Sequence, residues 1–186
     1  MKATILIVLA LAMFQATACE KAPVRSAEPE EVFRSLGRLF ECRLQDTAVE
    51  CRGKNIQGVL GHERFGTHQA DWVLVAGATH IASLSLGLAH ICGLVRDGTI
   101  DCWGLNDDGQ LGRLPTQPMP EVPTAPVSVI GVTDSVAVNA MAESTCALTT
   151  DCSVYCWGRV DLPHVTEPQT ARRMPVPRVV KLAGNP

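Results

Sequence analysis

Beyond an apolar run at the N-terminus, the hydrophobic residues come as short stretches of Val, Leu, Ile and Ala broken by Gly, Pro and charged positions. This pattern suits β-strands better than long helices. The segment HICGLVRDGTIDCWGLNDDGQLG, residues 90–112, shows the unit most clearly. ICGLV and TIDCWG flank Arg96-Asp97-Gly98 and predict a hairpin with a three-residue loop, whose last residue takes φ > 0 and suits Gly98. In that register Val95 faces Thr99, Leu94 faces Ile100 and Cys92 faces Cys102. Alternation then puts Cys92, Leu94, Ile100 and Cys102 on one face. Opposed strand residues lie about 4.5–5.5 Å apart between Cα atoms, within reach of a disulfide, so the two cysteines can bridge with little backbone movement.

The unit recurs. SLGRLFEC (35–42) aligns without gaps on SLGLAHIC (85–92), and CRGKNIQGVLG (51–61) shares Cys-x-Gly-x-Asn-x-x-Gly-x-Leu-Gly with CWGLNDDGQLG (102–112). A third copy, STCALTTDCSVYCWG (144–158), spaces Cys146 and Cys156 like Cys92 and Cys102. The same register groups Cys146, Leu148, Val154 and Cys156. In the first copy Cys42 and Cys51 fit a two- or four-residue loop centred on Asp46-Thr47, with Leu44 opposite Val49. The period lies close to that of propeller blades and solenoid units. After Trp157-Gly158 the third copy lacks the Asn-x-x-Gly-x-Leu-Gly tail and continues into a Pro-rich stretch. The prolines from Pro115 to Pro126 and from Pro163 to Pro177 read as extended connections. Boundaries follow at about 35–84, 85–138 and 139–186, within a domain spanning 32–186.

The N-terminal run changes the picture by placing the chain outside the cytosol. Residues 1–18, MKATILIVLALAMFQATA, have the layout of a secretory signal peptide, with an apolar run too short for an ordinary membrane span. Ala16-Thr17-Ala18 satisfies a signal peptidase site, and Ala16-Thr17-Ala18-Cys19 also resembles the bacterial lipobox with Ala16 in the usual Leu position. The lipobox reading is favoured. It makes Cys19 the lipidated residue, residues 19–31 a flexible tether, and the cell envelope the location, at the outer membrane or periplasmic face. A secreted chain is the alternative. Export allows the three bridges to persist. Of eight cysteines, six pair within hairpins and Cys19 is assigned to lipid, which leaves Cys152 as an unpaired thiol. Cys152 falls where Gly98 stands in the second copy, so either that turn changes or Cys152 accepts a strained φ. The net charge of −3 gives no basic surface for nucleic acid, and the membrane is met through the N-terminal lipid alone.

The residues of the second copy resemble a repeat of the regulator of chromosome condensation type: Gly87, His90, Leu94, Asp97, Gly98, Trp103, Gly104, Asn106, Gly109, Gln110, Leu111 and Gly112 all fit that pattern. Trp157 and Gly158 fit it in the third copy. The first copy has Phe40 in place of the His and Arg52 in place of the Trp, and the third has Met141 for the Gly and Ser144 for the His. The paired cysteines resemble the form seen in exported bacterial proteins. The resemblance implies an all-β fold of four-stranded blades in a propeller, often seven-bladed, with the His as a structural hydrogen-bonder between blades. Three copies form an incomplete propeller, since closure needs at least four blades. Open edges invite self-association. The family's eukaryotic archetype promotes nucleotide exchange on a small GTPase, and a bacterial member covers a β-lactamase active site with its loops. The resemblance therefore implies an unidentified protein partner and a non-catalytic binding scaffold. An exported inhibitor of an envelope enzyme, or a truncated fragment of a longer repeat protein, is the alternative.

Metal and catalytic readings fare worse. Cys146, Cys152 and Cys156 lack the spacing and the fourth ligand of a zinc site. Asn106-Asp107-Asp108-Gly109 superficially resembles a calcium loop, but Pro115 stands where the terminal Glu belongs. His62 and His68, in a loop predicted for GHERFGTHQADW, read as solvated residues without an evident third ligand. No Cys-x-x-Cys, nucleophile elbow, phosphate loop or zincin motif occurs. No catalytic residue, metal or cofactor is expected.

Overall fold

A computed structural model describes residues 32–35, 37–61, 66–115, 125–160 and 173–179. Twelve strands form three four-stranded antiparallel sheets, with one short 3-10 turn at Ile56–Gly58 and no α-helix among the described residues. The first sheet holds β1 (Val32–Arg34), β2 (Phe40–Gln45), β3 (Ala48–Lys54) and β4 (His68–Leu74). The second holds β5 (Ile81–Leu86), β6 (His90–Val95), β7 (Ile100–Gly104) and β8 (Val127–Ser128). The third holds β9 (Ser135–Met141), β10 (Ser144–Thr149), β11 (Val154–Arg159) and β12 (Arg173–Val179). In each sheet the strands follow chain order, the meander of a propeller blade. β1 contacts β5 and β5 contacts β9, so the first strands of successive blades lie side by side. The three sheets do not close into a ring; they form an incomplete propeller.

The predicted hairpins stand in the expected register. Cys92 pairs with Cys102 and Leu94 with Ile100; Cys146 pairs with Cys156 and Leu148 with Val154. In the second blade the Gly98 N–H donates to the Val95 carbonyl at 3.0 Å, and Gly98 has φ +85°. In the first, Gln45 pairs with Ala48, which settles the open loop length at the two residues Asp46-Thr47. The sulfurs of Cys42 and Cys51, Cys92 and Cys102, and Cys146 and Cys156 lie at disulfide distance, with Cα separations of 4.1, 4.2 and 4.1 Å.

The core lies between blades rather than within them. Phe40, Cys42, Leu44, Val49 and Cys51 of the first blade pack against Ile81, Leu84, Leu86, Ile91 and Trp103 of the second. The opposite face of the second blade, with Cys92, Leu94, Ile100 and Cys102, packs against Ala147 and Trp157 of the third. A sheet so arranged buries both faces, which is why β6 and β10 are buried almost throughout and carry few charges.

Three expectations need correction. His68 belongs to β4 rather than to a loop, because the chain returns there to pair with β3; His62 lies outside the described residues. Pro175 and Pro177 form part of β12, where an outer strand with only one neighbour tolerates residues that cannot donate. The remaining Pro-rich segments fall largely outside the described residues. Cys152 is disulfide-bonded and no described cysteine is free, so it is not an unpaired thiol. It keeps the turn of the second blade by taking the strained option, φ +64°.

Candidate functional site

The signature residues build the joints between blades. Trp103 is fully buried and its indole Nε1–H donates to the Val59 carbonyl of the first blade's tail at 2.9 Å. Trp157, equally buried, donates to the Gln110 carbonyl of the second blade's tail at 2.8 Å. Val59 and Gln110 hold the same place in two Gly-x-Leu-Gly tails. Each tail is folded by its own Asn: Leu60 N–H donates to Asn55 Oδ1 at 3.1 Å, and Leu111 N–H to Asn106 Oδ1 at 3.0 Å. The Gln110 side chain accepts from the Asp108 N–H at 2.9 Å, so the stretch from Asn106 to Gly112 is a compact knot against the next blade.

His90 crosses the second joint. The Thr145 hydroxyl gives its single proton to the Gln110 carbonyl at 3.0 Å. His90 Nε2, 2.9 Å from that hydroxyl oxygen, is therefore the donor, which places the ring proton on Nε2. Burial pushes its pKa down to about 4, against a weaker upward pull from the Ser144 backbone. Gly87 lies against the His90 ring, where any Cβ would collide with it. Gly109 has φ +81° and lies against the Pro175 backbone of β12, leaving no room for a side chain. Gly104, Gly112 and Gly158 also lie at positive φ. Asp97 accepts from both the N–H and the hydroxyl of Thr99, and these bonds hold its carboxyl below the usual range.

These groups make a frame that joins one blade to the next. Among the described residues no three His, Cys, Asp or Glu side chains come together in a way that could hold a metal. The surface offers one distinctive region, on the outer face of the first blade. At the joints, the cross-strand pairs Ile91 with Trp103 and Thr145 with Trp157 face the preceding blade. The matching pair of the first blade is Glu41 with Arg52; Arg43 with Glu50, beyond the cysteines, matches Gly93 with Asp101 and Ala147 with Tyr155.

Arg52 reaches Glu41 at 2.5 Å, Arg34 joins the same carboxylate at 3.2 Å, and Arg43 reaches Glu50 at 2.6 Å. The guanidinium groups of Arg43 and Arg52 also lie over the ring of Trp72 of β4, at 4.6 and 4.4 Å from its centre. Beside this network is a pocket of about 350 Å³, shaped by Arg34, Arg38, Leu39, Phe40, Glu41 and His68 with their neighbours. The repeat pattern hid this region, since its defining feature is the absence of the signature Trp. The replacement of Trp by Arg52 was the available signal.

The regulator of chromosome condensation (RCC1) repeat family model matches residues 81–110. No curated protein shows a significant match. Among solved structures, the chain is similar to that of Kap60 bound to yeast RCC1 (Prp20), with a TM-score of 0.66, 22% identity, and coverage of 84% of this chain and 37% of that one. It is also similar to Prp20p from Saccharomyces cerevisiae, described with its binding to Gsp1p and histones, at TM-score 0.66, 21% identity, and 84% and 39% coverage. Human WBSCR16 follows at TM-score 0.62, 18% identity, and 79% and 38% coverage. The chain thus spans less than two fifths of the length of these structures. It carries an RCC1 repeat at residues 81–110 and has the blade architecture of RCC1 proteins over most of its length.

Proposed function

We propose that this chain is an exported, lipid-anchored scaffold of the bacterial cell envelope whose blades bind a protein partner without catalysing a reaction. Residues 1–18 serve as the signal peptide and residues 19–31 as the tether to the domain that begins at residue 32; in this reading Cys19 carries the lipid and Cys152 takes its disulfide partner from another chain, since the other six cysteines pair within their hairpins. The observation that carries the binding reading is the outer face of the first blade, where charged pairs over Trp72 stand in place of blade-stacking residues. Fixed charges and a partly buried aromatic on one exposed sheet face are the materials of a protein interface. The yeast protein of similar fold, Prp20, is described as bound by Kap60 and by its binding to Gsp1p and histones, which supports a binding role in general and names no partner here. Self-association belongs to the same reading. It would use the outer edge of β4, which has no neighbour among the described strands and lacks the prolines of β12.

Capture of partners from envelope extract by the tagged mature chain tests the reading. Several structural partners support a scaffold, and one stoichiometric enzyme supports the alternative of an exported inhibitor. Recovery of an aggregated chain with no partner would favour a truncated fragment and end the binding proposal. The anchor is tested separately by the mass of the N-terminal peptide. One sulfur cannot hold both a thioether lipid and a disulfide, so a diacylglyceryl group on Cys19 supports the lipoprotein and a disulfide-linked Cys19 refutes it.

A further inference from the structure

We propose that the pocket on the outer face of the first blade docks an acidic, partly apolar segment of a protein partner. The proposal rests on the protein-binding reading and gives it a place and a chemistry. Three arginines, Arg34, Arg38 and Arg52, together with His68, line the pocket against the single carboxylate of Glu41. Glu41 is already shared between Arg34 and Arg52. Arg38 makes no ion pair among the described residues, so the pocket keeps a surplus of guanidinium donors suited to a carboxylate. Leu39, 45% exposed, gives the pocket an apolar lip. Arg38 stands where the second copy has Leu88, and Arg52 where it has Trp103, so both cations depart from the repeat that forms the joints.

Charge complementarity selects the occupant. Glu41 and Glu50 are set among the arginines, so the face is a mosaic and not a uniform positive field. A mosaic accepts a segment with discrete carboxylates, and a continuous polyanion such as an anionic membrane would meet both glutamates.

The test is fluorescence anisotropy with a fluorescein-labelled peptide of alternating Glu and Leu, titrated with the mature chain. The same peptide with Lys for Glu, and phosphatidylglycerol vesicles, serve as competing probes. The Glu peptide is expected to bind and the Lys peptide to fail. Arg38→Glu should weaken binding by about tenfold or more, and the charge-matched control Arg96→Glu should leave it unchanged. An unaltered circular dichroism spectrum shows that Arg38→Glu still folds. No binding of the Glu peptide, equal binding by Arg38→Glu, or a preference for the vesicles would overturn the proposal. If Arg38→Glu still captures the partner held by the wild type from envelope extract, this site fails while the protein-binding reading stands.

Discussion

His90 places a titratable ring where no charge is tolerated. Its folded pKa of about 4 lies below the 6.5 of an exposed histidine, so between these values the unfolded chain binds a proton that the folded chain does not. Stability therefore falls as pH drops from about 6.5 toward 4, by on the order of 3 kcal/mol, and this group adds nothing further below 4. Asp97 and Asp151, both held low by hydrogen bonds to Thr and Ser neighbours, lose their contribution only as pH falls through their depressed values. Urea unfolding at pH 7 and pH 5 should show a clear loss for the wild type and a flatter response for His90→Gln, whose amide can still donate to Thr145. Equal pH dependence in both proteins would remove His90 from this role. The Trp donors are open to the same treatment. Trp157→Phe removes the bond to Gln110 and part of a fully buried ring, and should cost about 1–3 kcal/mol in chemical denaturation.

At the scale of elements, the hairpins were legible because their grammar is local. A ten-residue cysteine spacing, an Asp-Gly turn and period-two alternation fix which residues face one another, and Cys92 with Cys102 follows from them. The limits of that grammar appear where a strand depends on a distant neighbour. β4 and β12 have mixed or Pro-rich sequences and exist because β3 and β11 offer edges to pair with. The blades also begin slightly before the repeat boundaries, at Ile81 and Ser135, because sequence likeness is strongest in the second strand and tail, which make the joint. Each bridge closes a short loop, so replacing Cys92 and Cys102 together by Ala should lower stability by about 2–3 kcal/mol, measured from urea midpoints under oxidising conditions. Gly109→Ala, at positive φ and against Pro175, should cost about 1–3 kcal/mol. Its main effect should fall on the β12 amides, as earlier hydrogen exchange there than in β6.

Over the whole molecule, three blades need two joints, and the chain supplies two tails that each accept a Trp of the next blade. The first blade has Arg52 where a preceding tail would find its Trp, and the third copy has no Gly-x-Leu-Gly tail to offer. Copies of this chain therefore lack the parts to stack head to tail through joints of the same kind. The outer face of the first blade, with Arg43, Arg52 and Trp72, remains a surface for another partner. Family resemblance disclosed the blades, but the face that distinguishes this chain lay in its departures from the repeat. Those departures acquired meaning only once the register placed Glu41, Arg43, Glu50 and Arg52 side by side. Small-angle scattering of the mature chain with in-line mass determination tests this account most directly. It predicts an open arc of three blades whose first face stays exposed, and a closed ring of chains joined head to tail would contradict it.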